Sequence, residues 1–478
     1  MRKEYRSFIL IIILFLLISL AYSMIVPVFN APDEPFHFEY IRFLAKNKRL
    51  PNQKSKERSI GTEGFKPPLY YMVNAVFLSI LSRDKASDIQ LHNYRDIAGF
   101  FRNPYQGFRS DIYPPLNPDY IKWRQGTDRN MFLTTQADQF PFAGSIRVIH
   151  LLRILSVLLG ALTILFIFKI AQAILPDHPN LALLAASICA FNPQFDFLSG
   201  SLNNDNLVIL LATVSIWLLS RLIFSEPDHK KGIILFLGVF MGLGFLTKFN
   251  LSGVLLVVLA GIIYHSWVAG ENRFRRLCMN LFLFLGPFIC ITGWYFIRNV
   301  LIYGINDPLG WRLQAIQNPG LAMPAHIRGM FFRKIFLQRL FTSFWGQFDW
   351  LTISLPHWTY WIYGIISVTG IVGLVIALTS KGDQKRFKIC ILFYLAILII
   401  SMACLIILNL TFLSAQARLI FPAISGICIF IALGMDWLGR HLARWTRIKG
   451  VVLIYGFIGM LILLDIYTLL WVIYPVYR

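Results

Sequence analysis

From Phe8 to Val28 the chain reads "FILIIILFLLISLAYSMIVPV", without one charged side chain. About 20 apolar residues are what a helix needs to cross the hydrocarbon core of a bilayer. Lipid offers a peptide group no hydrogen-bond partner, so such a run must satisfy its backbone within itself, as a helix. Eleven more apolar segments follow, near 67–82, 146–174, 181–198, 206–224, 232–247, 249–268, 277–299, 360–380, 388–409, 417–437 and 450–474. Charged residues make up 14% of the chain, against about 25% in soluble globular domains. The expected fold class is an all-α polytopic membrane protein, a single transmembrane unit over 1–478. No soluble domain, low-complexity linker or short-period repeat interrupts it.

Charge sets the sidedness. Cytoplasmic loops concentrate Lys and Arg. The short basic stretches here are "RKEYR" at the start, "HKKG" with Lys230 and Lys231, "ENRFRR", "KGDQKRFK" and "GRHLARWTRIK". If 67–82 does not cross and the other eleven segments do, all five stretches share the inner side. If it crosses, the first is separated from the other four. The segment "KPPLYYMVNAVFLSILSR" is short and opens on two prolines, as an interfacial or re-entrant helix does. The expectation is therefore about 11 transmembrane helices. A large first outer loop, 29–145, carries amphipathic and re-entrant helices, and 300–359 is a second large outer loop. The N-terminal pattern, a basic start and an apolar run up to "AYS", also fits a cleavable signal. The run continues through "MIVPVF", which favours an uncleaved first span. The expected location is the plasma membrane, with the chemistry on the outer or periplasmic face.

The 45 Lys and Arg exceed the 24 Asp and Glu, for a net charge of +21. In a soluble chain this would suggest nucleic acid. Here the excess sits in loops between spans and no basic soluble domain exists, so nucleic acid is excluded and a lipid phosphate is the better anion. The six cysteines lie in or beside apolar segments, which indicates neither a disulfide framework nor a zinc site.

The unusual polar residues fall in the outer loops. "NAPDEPFHFEY" places Asp33 and Glu34 between prolines, with His37 one turn on. Phe36, Tyr40, Phe43 and Leu44 repeat at helical spacing, as in an amphipathic surface helix. One reading makes Asp33 or Asn30 the helix cap and leaves Glu34 to the dipole. The other makes a carboxylate the general base toward a hydroxyl, its neighbour tuning it or sharing a cation. In "EGFKPPLYY", Lys66 precedes the double proline and Tyr70 follows it. Lys66 is either a snorkelling interface lysine or a cation for a lipid phosphate. "NPQFDFLSGSLNNDNL" holds Asp196, Asn204 and Asp205 between two spans, a costly composition so close to lipid. Lys248, Arg298 and Arg418 stand at outer span ends, against the positive-inside trend, and a shared phosphate ligand would explain them. "TSFWGQFDWLTISLPHW" offers Trp345 and Asp349, in an aromatic belt or against a sugar face. Asp33, Glu34 and Asp205 are the candidates for a divalent metal, although no ligand spacing establishes one.

Taken together, the Asp-Glu pair, "KPPLYY", the acidic second outer loop and the late "ARLIFP" resemble the GT-C membrane glycosyltransferases, in particular the protein-mannosyltransferase and aminoarabinose-transferase branch. "SFWGQFDWLTISLP" and "RNVLIYGINDPLG" are similar to a bacterial and archaeal sister group of predicted membrane proteins. The resemblance implies a GT-C-like fold and a polyprenyl-phosphate-linked sugar as donor, used at the outer face with inversion. It implies Asp33 as the base, Glu34 as its acidic neighbour and Asp205 as the second-loop acid, with Asp196 as a competitor. Lys66 matches the lysine before the double proline in the aminoarabinose branch, where the mannosyl branch favours histidine. Arg418 resembles the arginine near the lipid phosphate. The acceptor is a hydroxyl of a glycan, a lipid or a protein. Protein is the least expected of the three, because nothing here is similar to the soluble domain of the oligosaccharyltransferases. The alternatives are a flippase or transporter, and a polymerase or ligase of lipid-linked saccharides.

Overall fold

The computed structural model describes residues 3–54, 58–81, 139–224, 230–268, 272–317, 329, 332, 335–349, 351–379, 385–411, 414–446 and 448–477. In chain order the helices are α1 Lys3–Ile25, α2 Glu34–Asn47, α3 Leu69–Leu81, α4 Gly144–Ile174, α5 Pro179–Ala190, α6 Pro193–Ser199, α7 Asp205–Phe224 and α8 Lys230–Phe245. They continue with α9 Ser252–Val268, α10 Arg273–Tyr303, α11 Trp311–Gln317, α12 Phe336–Trp345, α13 His357–Thr379, α14 Lys385–Thr411, α15 Ile424–Thr446 and α16 Gly450–Tyr467. A two-stranded hairpin, β1 Gln347–Phe348 with β2 Ile353–Ser354, is the sheet among the described residues.

Nine of the described helical stretches are long and apolar enough to cross a membrane. A tenth appears if α5 and α6, bent by 64° to each other, count as one broken span. The protein is an all-α integral membrane protein. The count falls short of the expected eleven because α8 has 16 residues, about 24 Å of helix against about 30 Å of hydrocarbon. Helix α3, at 13 residues, is shorter still, which accords with a segment that does not cross. Large apolar side chains such as Phe282, Leu301, Trp361 and Leu463 stand exposed on the outside of the bundle. That surface suits lipid and would be an aggregation liability in water.

The break between α5 and α6 is written locally. Pro193 cannot continue α5, and Asn192 caps α6, its Oδ1 accepting from the backbone of Gln194 at 3.0 Å and Phe195 at 3.2 Å. Helices α13 and α15 pack through glycines. A Cβ added to Gly434 would stand 1.7 Å from the Thr369 carbonyl oxygen, and one on Gly373 2.1 Å from that of Phe430.

At the end of the bundle where α1 finishes, α2, α3 and a short 3-10 turn, Arg58–Phe65, form a second small core around Phe38, Ile41, Tyr71, Leu78 and Leu152. An amphipathic α2 lying on a surface was the expectation. Instead 10 of its 14 residues are buried, because α3 and the 3-10 turn both cover it. Leu69 donates to the Leu246 carbonyl at 2.8 Å, tying the start of α3 to the end of α8. Of the first large loop, 55–57 and 82–138 lie outside the described residues.

Candidate active site

Asp33 occupies the N-cap position of α2 but makes no capping bond. Its φ is +66°, a left-handed conformation that costs a non-glycine residue roughly 1–2 kcal/mol. That backbone turns the carboxylate away from the helix and onto Arg418, with which it forms an ion pair. Burial alone would raise the Asp33 carboxyl, but Arg418, and behind it Lys66, hold it below its ordinary value.

Arg418 lies in a 3-10 turn, Ala417–Ala423, at the head of α15. Its Nε donates to Gln416 Oε1 at 2.6 Å, and its Nη1 stands 3.7 Å from Asp205 Oδ2. Asp205 opens α7, where the helix dipole favours an acid, and Asn203 Oδ1 accepts from its backbone N–H at 2.9 Å. Lys248, in the extended residue between α8 and the next turn, donates to Asp205 Oδ1 at 2.6 Å. Burial, with Lys66 and Arg418 nearby, brings Lys248 below its ordinary value against the pull of Asp205.

Glu63 anchors the other side of the cluster. Lys66 Nζ is 2.5 Å from Glu63 Oε1, while Tyr71 Oη donates to Oε2 at 2.5 Å and His37 Nδ1 lies 3.2 Å from it. Asn204 Nδ2 donates to Tyr71 Oη at 3.2 Å, and Tyr40 stacks on Tyr71 at 4.1 Å. Despite burial, Lys66 and His37 hold Glu63 well below the usual carboxylate range. Lys66 is raised in return: burial opposes its charge, but Glu63 and Asp33 outweigh that.

The cluster has two layers. Asp33 is 27% exposed and Lys66 28%, with Lys248 and Arg418 partly open beside them. Glu63, His37, Tyr71, Asn204 and Asp205 are buried behind. The open layer thus presents one carboxylate among three cations. The arrangement can receive a phosphate and take a proton beside it.

Of the residues singled out in the sequence, Asp33, Lys66, Lys248, Arg418, Asp205, Asn204 and His37 come together. Tyr70 packs edge-on against His37 at 6.4 Å, its hydroxyl 3.3 Å from Ser156 Oγ. Glu34 is placed elsewhere. Fully buried, it accepts from Arg153 Nε at 2.7 Å and Nη2 at 2.6 Å, and from the backbone of Phe29 and Leu202. Arg153 also binds the carbonyls of Ser23, Val26 and Pro27, closing off the end of α1. Arg298 donates to the Pro51 carbonyl at 2.6 Å, holding the segment that follows α2. Trp345 stacks on Tyr363 at 4.5 Å in the core, and buried Asp349 accepts from Thr352 at 2.6 Å. Asp33, Glu34 and Asp205 each pair with a cationic side chain instead of converging on a metal. Among the described residues no group of three or more His, Cys, Asp or Glu side chains is arranged to hold one.

Residues 147–296 match the family model described as dolichyl-phosphate-mannose-protein mannosyltransferase. No curated protein sequence matches the chain. Similar solved structures include the S. cerevisiae protein O-mannosyltransferase Pmt1-Pmt2 complex bound to the sugar donor, at 15% identity and TM-score 0.42 over 62% of this chain and 34% of that one. Another is ArnT from Cupriavidus metallidurans bound to undecaprenyl phosphate, at 15% and 0.47 over 98% and 73%. A third is the Archaeoglobus fulgidus oligosaccharyltransferase tethered with an acceptor peptide, at 12% and 0.46 over 99% and 55%. The chain thus spans about a third of the yeast chain's length. The likeness to GT-C membrane glycosyltransferases carried by the motifs recurs in the family model, over the spans that hold Arg153, Asp205 and Lys248.

Proposed function

We propose that the protein is an inverting membrane glycosyltransferase. It moves a sugar from a polyprenyl-phosphate donor to a hydroxyl of a glycan, lipid or protein, at the outer face of the plasma membrane. The observation that carries this reading is the open layer of the site, where Asp33 stands among Lys66, Lys248 and Arg418.

Asp33 takes the proton of the acceptor hydroxyl as its oxygen attacks the anomeric carbon. The bond from that carbon to the phosphate oxygen breaks, and a single displacement inverts the centre. The departing lipid phosphate gains negative charge, which the three cations stabilise where it develops. Glu63, His37 and Tyr71 fix Lys66 from behind. Glu34, through Arg153, holds the loop that presents Asp33.

The test compares cell-surface glycans and lipids by mass spectrometry with and without the protein, and with Asp33→Asn. A glycoconjugate that loses one sugar unit in both the deletion and the variant is expected. An Asp33→Asn strain with wild-type glycans would sink the transferase reading, and would fit a flippase, whose movement of lipid needs no base.

A further inference from the structure

Beneath the candidate site, within the bundle, lies a second pair of acids that the proposed transfer does not use. Asp196 on α6 and Asp465 on α16 are both fully buried. Ser19 Oγ on α1 donates to Asp196 Oδ1, and Tyr22 Oη, one turn on, donates to Asp465 Oδ1 at 2.8 Å. The two carboxyls face each other, and the Tyr363 hydroxyl of α13 lies near both. Asp196 Oδ2, Asp465 Oδ2 and Tyr363 Oη are buried and have no hydrogen-bond partner among the described residues.

The other titratable groups packed around the pair are Tyr22 on α1 and Cys189 on α5. Among the described residues no Lys, Arg or His forms an ion pair with either acid, in contrast to Asp33, Glu34, Glu63 and Asp205. Two uncompensated carboxylates in a membrane interior would carry a desolvation penalty of several kcal/mol each. Positive charge has to come from a bound species. The unpartnered atoms are all oxygens, hard donors suited to a proton or an alkali cation.

We propose that Asp196 and Asp465 form an intramembrane monocation site, binding one shared proton or one desolvated sodium ion between their Oδ2 atoms, with Tyr363 Oη as a further oxygen ligand. The bound charge ties the short limb of the broken span to α16. Asn203, Asn204 and Asp205 begin four residues beyond Ser199, the end of α6, so the site steadies the loop that carries part of the candidate active site.

The test is the thermal midpoint of the full chain in detergent, measured across pH in sodium chloride and in choline chloride at equal ionic strength. The folded chain holds a cation that the unfolded chain releases, so the wild-type midpoint in choline falls as pH rises. The double variant Asp196→Asn/Asp465→Asn, with no carboxyl left there to ionise, loses this fall, each single variant, with one carboxyl left, moves it along the pH axis, and Asp33→Asn keeps it. Recovery of the midpoint by sodium at high pH assigns sodium, and no recovery assigns the proton. Tyr363→Phe keeps the ring and both acids, and shifts the pH of the fall, or the sodium needed, by about tenfold in concentration. If every variant that folds titrates as the wild type does, in both salts, the proposal is overturned.

Discussion

Arg418 and Asp33, 385 positions apart in sequence, form an ion pair that closes the last third of the chain onto its first loop. The same guanidinium reaches Asp205 on a third element. Asp33, Glu63 and Asp205 balance Lys66, Lys248 and Arg418 in formal charge. A phosphate entering this layer brings surplus negative charge and competes with Asp33 for Arg418. Release from Arg418 would strengthen Asp33 as a base at the moment the donor is in place.

Asp33→Asn keeps the size of the side chain and removes the proposed base. Sugar transfer by the purified chain in lipid vesicles is expected to fall about 10²–10⁴-fold, the usual contribution of a general base. Binding of polyprenyl phosphate should persist or tighten, because Arg418 loses its internal partner. A variant that transfers at more than a tenth of the wild-type rate, with intact binding, would remove Asp33 from the mechanism.

The pH profile carries a sign that can be checked. As the proposed base Asp33 has to be ionised, and Arg418 keeps its carboxyl below the ordinary aspartate range. The acid limb of kcat/KM, which reports the free enzyme, should therefore lie below that range and leave neutral pH on a plateau. Arg418→Gln removes the counter-charge and moves the limb upward, besides raising the KM for donor. An acid limb unmoved by Arg418→Gln means that another group titrates.

The spans are legible in the sequence because lipid imposes length and composition on each segment separately. Asp33, Lys66, Asp205 and Arg418 could be set on one side by counting crossings, but their pairing depends on how distant elements pack. The sequence signal for Glu63 is its spacing, since an acid three residues before Lys66 is a helical-spacing partner for it. Arg153 lies inside the apolar run 146–174. An arginine at that depth is costly unless paired, and that cost is the signal that an acid, here Glu34, has to be waiting for it.

Glu34 and Arg153 should therefore answer to stability before activity. Both side chains are fully buried, and removing one partner leaves the other charge uncompensated, at about 3–5 kcal/mol. Glu34→Ala and Arg153→Ala are each expected to lower the thermal midpoint sharply, and the double variant to cost less than the sum. Additive losses, or a Glu34→Ala protein that folds normally yet does not turn over, would return Glu34 to the chemistry.

The cations separate by where their charge points. Lys66 and Lys248 are partly open beside Asp33, whereas Arg298 holds the Pro51 carbonyl. Lys66→Ala and Lys248→Ala should each raise the KM for donor about tenfold or more, a loss of a charge-assisted phosphate contact. Arg298→Ala should leave it within a factor of a few. Equal effects at all three positions would mean a diffuse field instead of a phosphate site.

Glu63→Gln tests the buried layer behind Lys66. The carboxylate accepts from Tyr71 and pairs with Lys66 and His37, so the amide loosens Lys66 and should raise KM more than it lowers kcat. It also changes stability against pH. Glu63 is held well below the usual carboxylate range. Its contribution is therefore complete above that range and is lost only as pH falls through the lowered value. Lys66 is raised, so its contribution is complete below the ordinary lysine range and is lost as pH rises through the higher value. Between those two ranges Glu63 and Lys66 themselves add no pH dependence, and Glu63→Gln should lose the dependence at the acid end. An acid-end dependence that survives in Glu63→Gln would place the titrating carboxyl at Asp33 or Asp205.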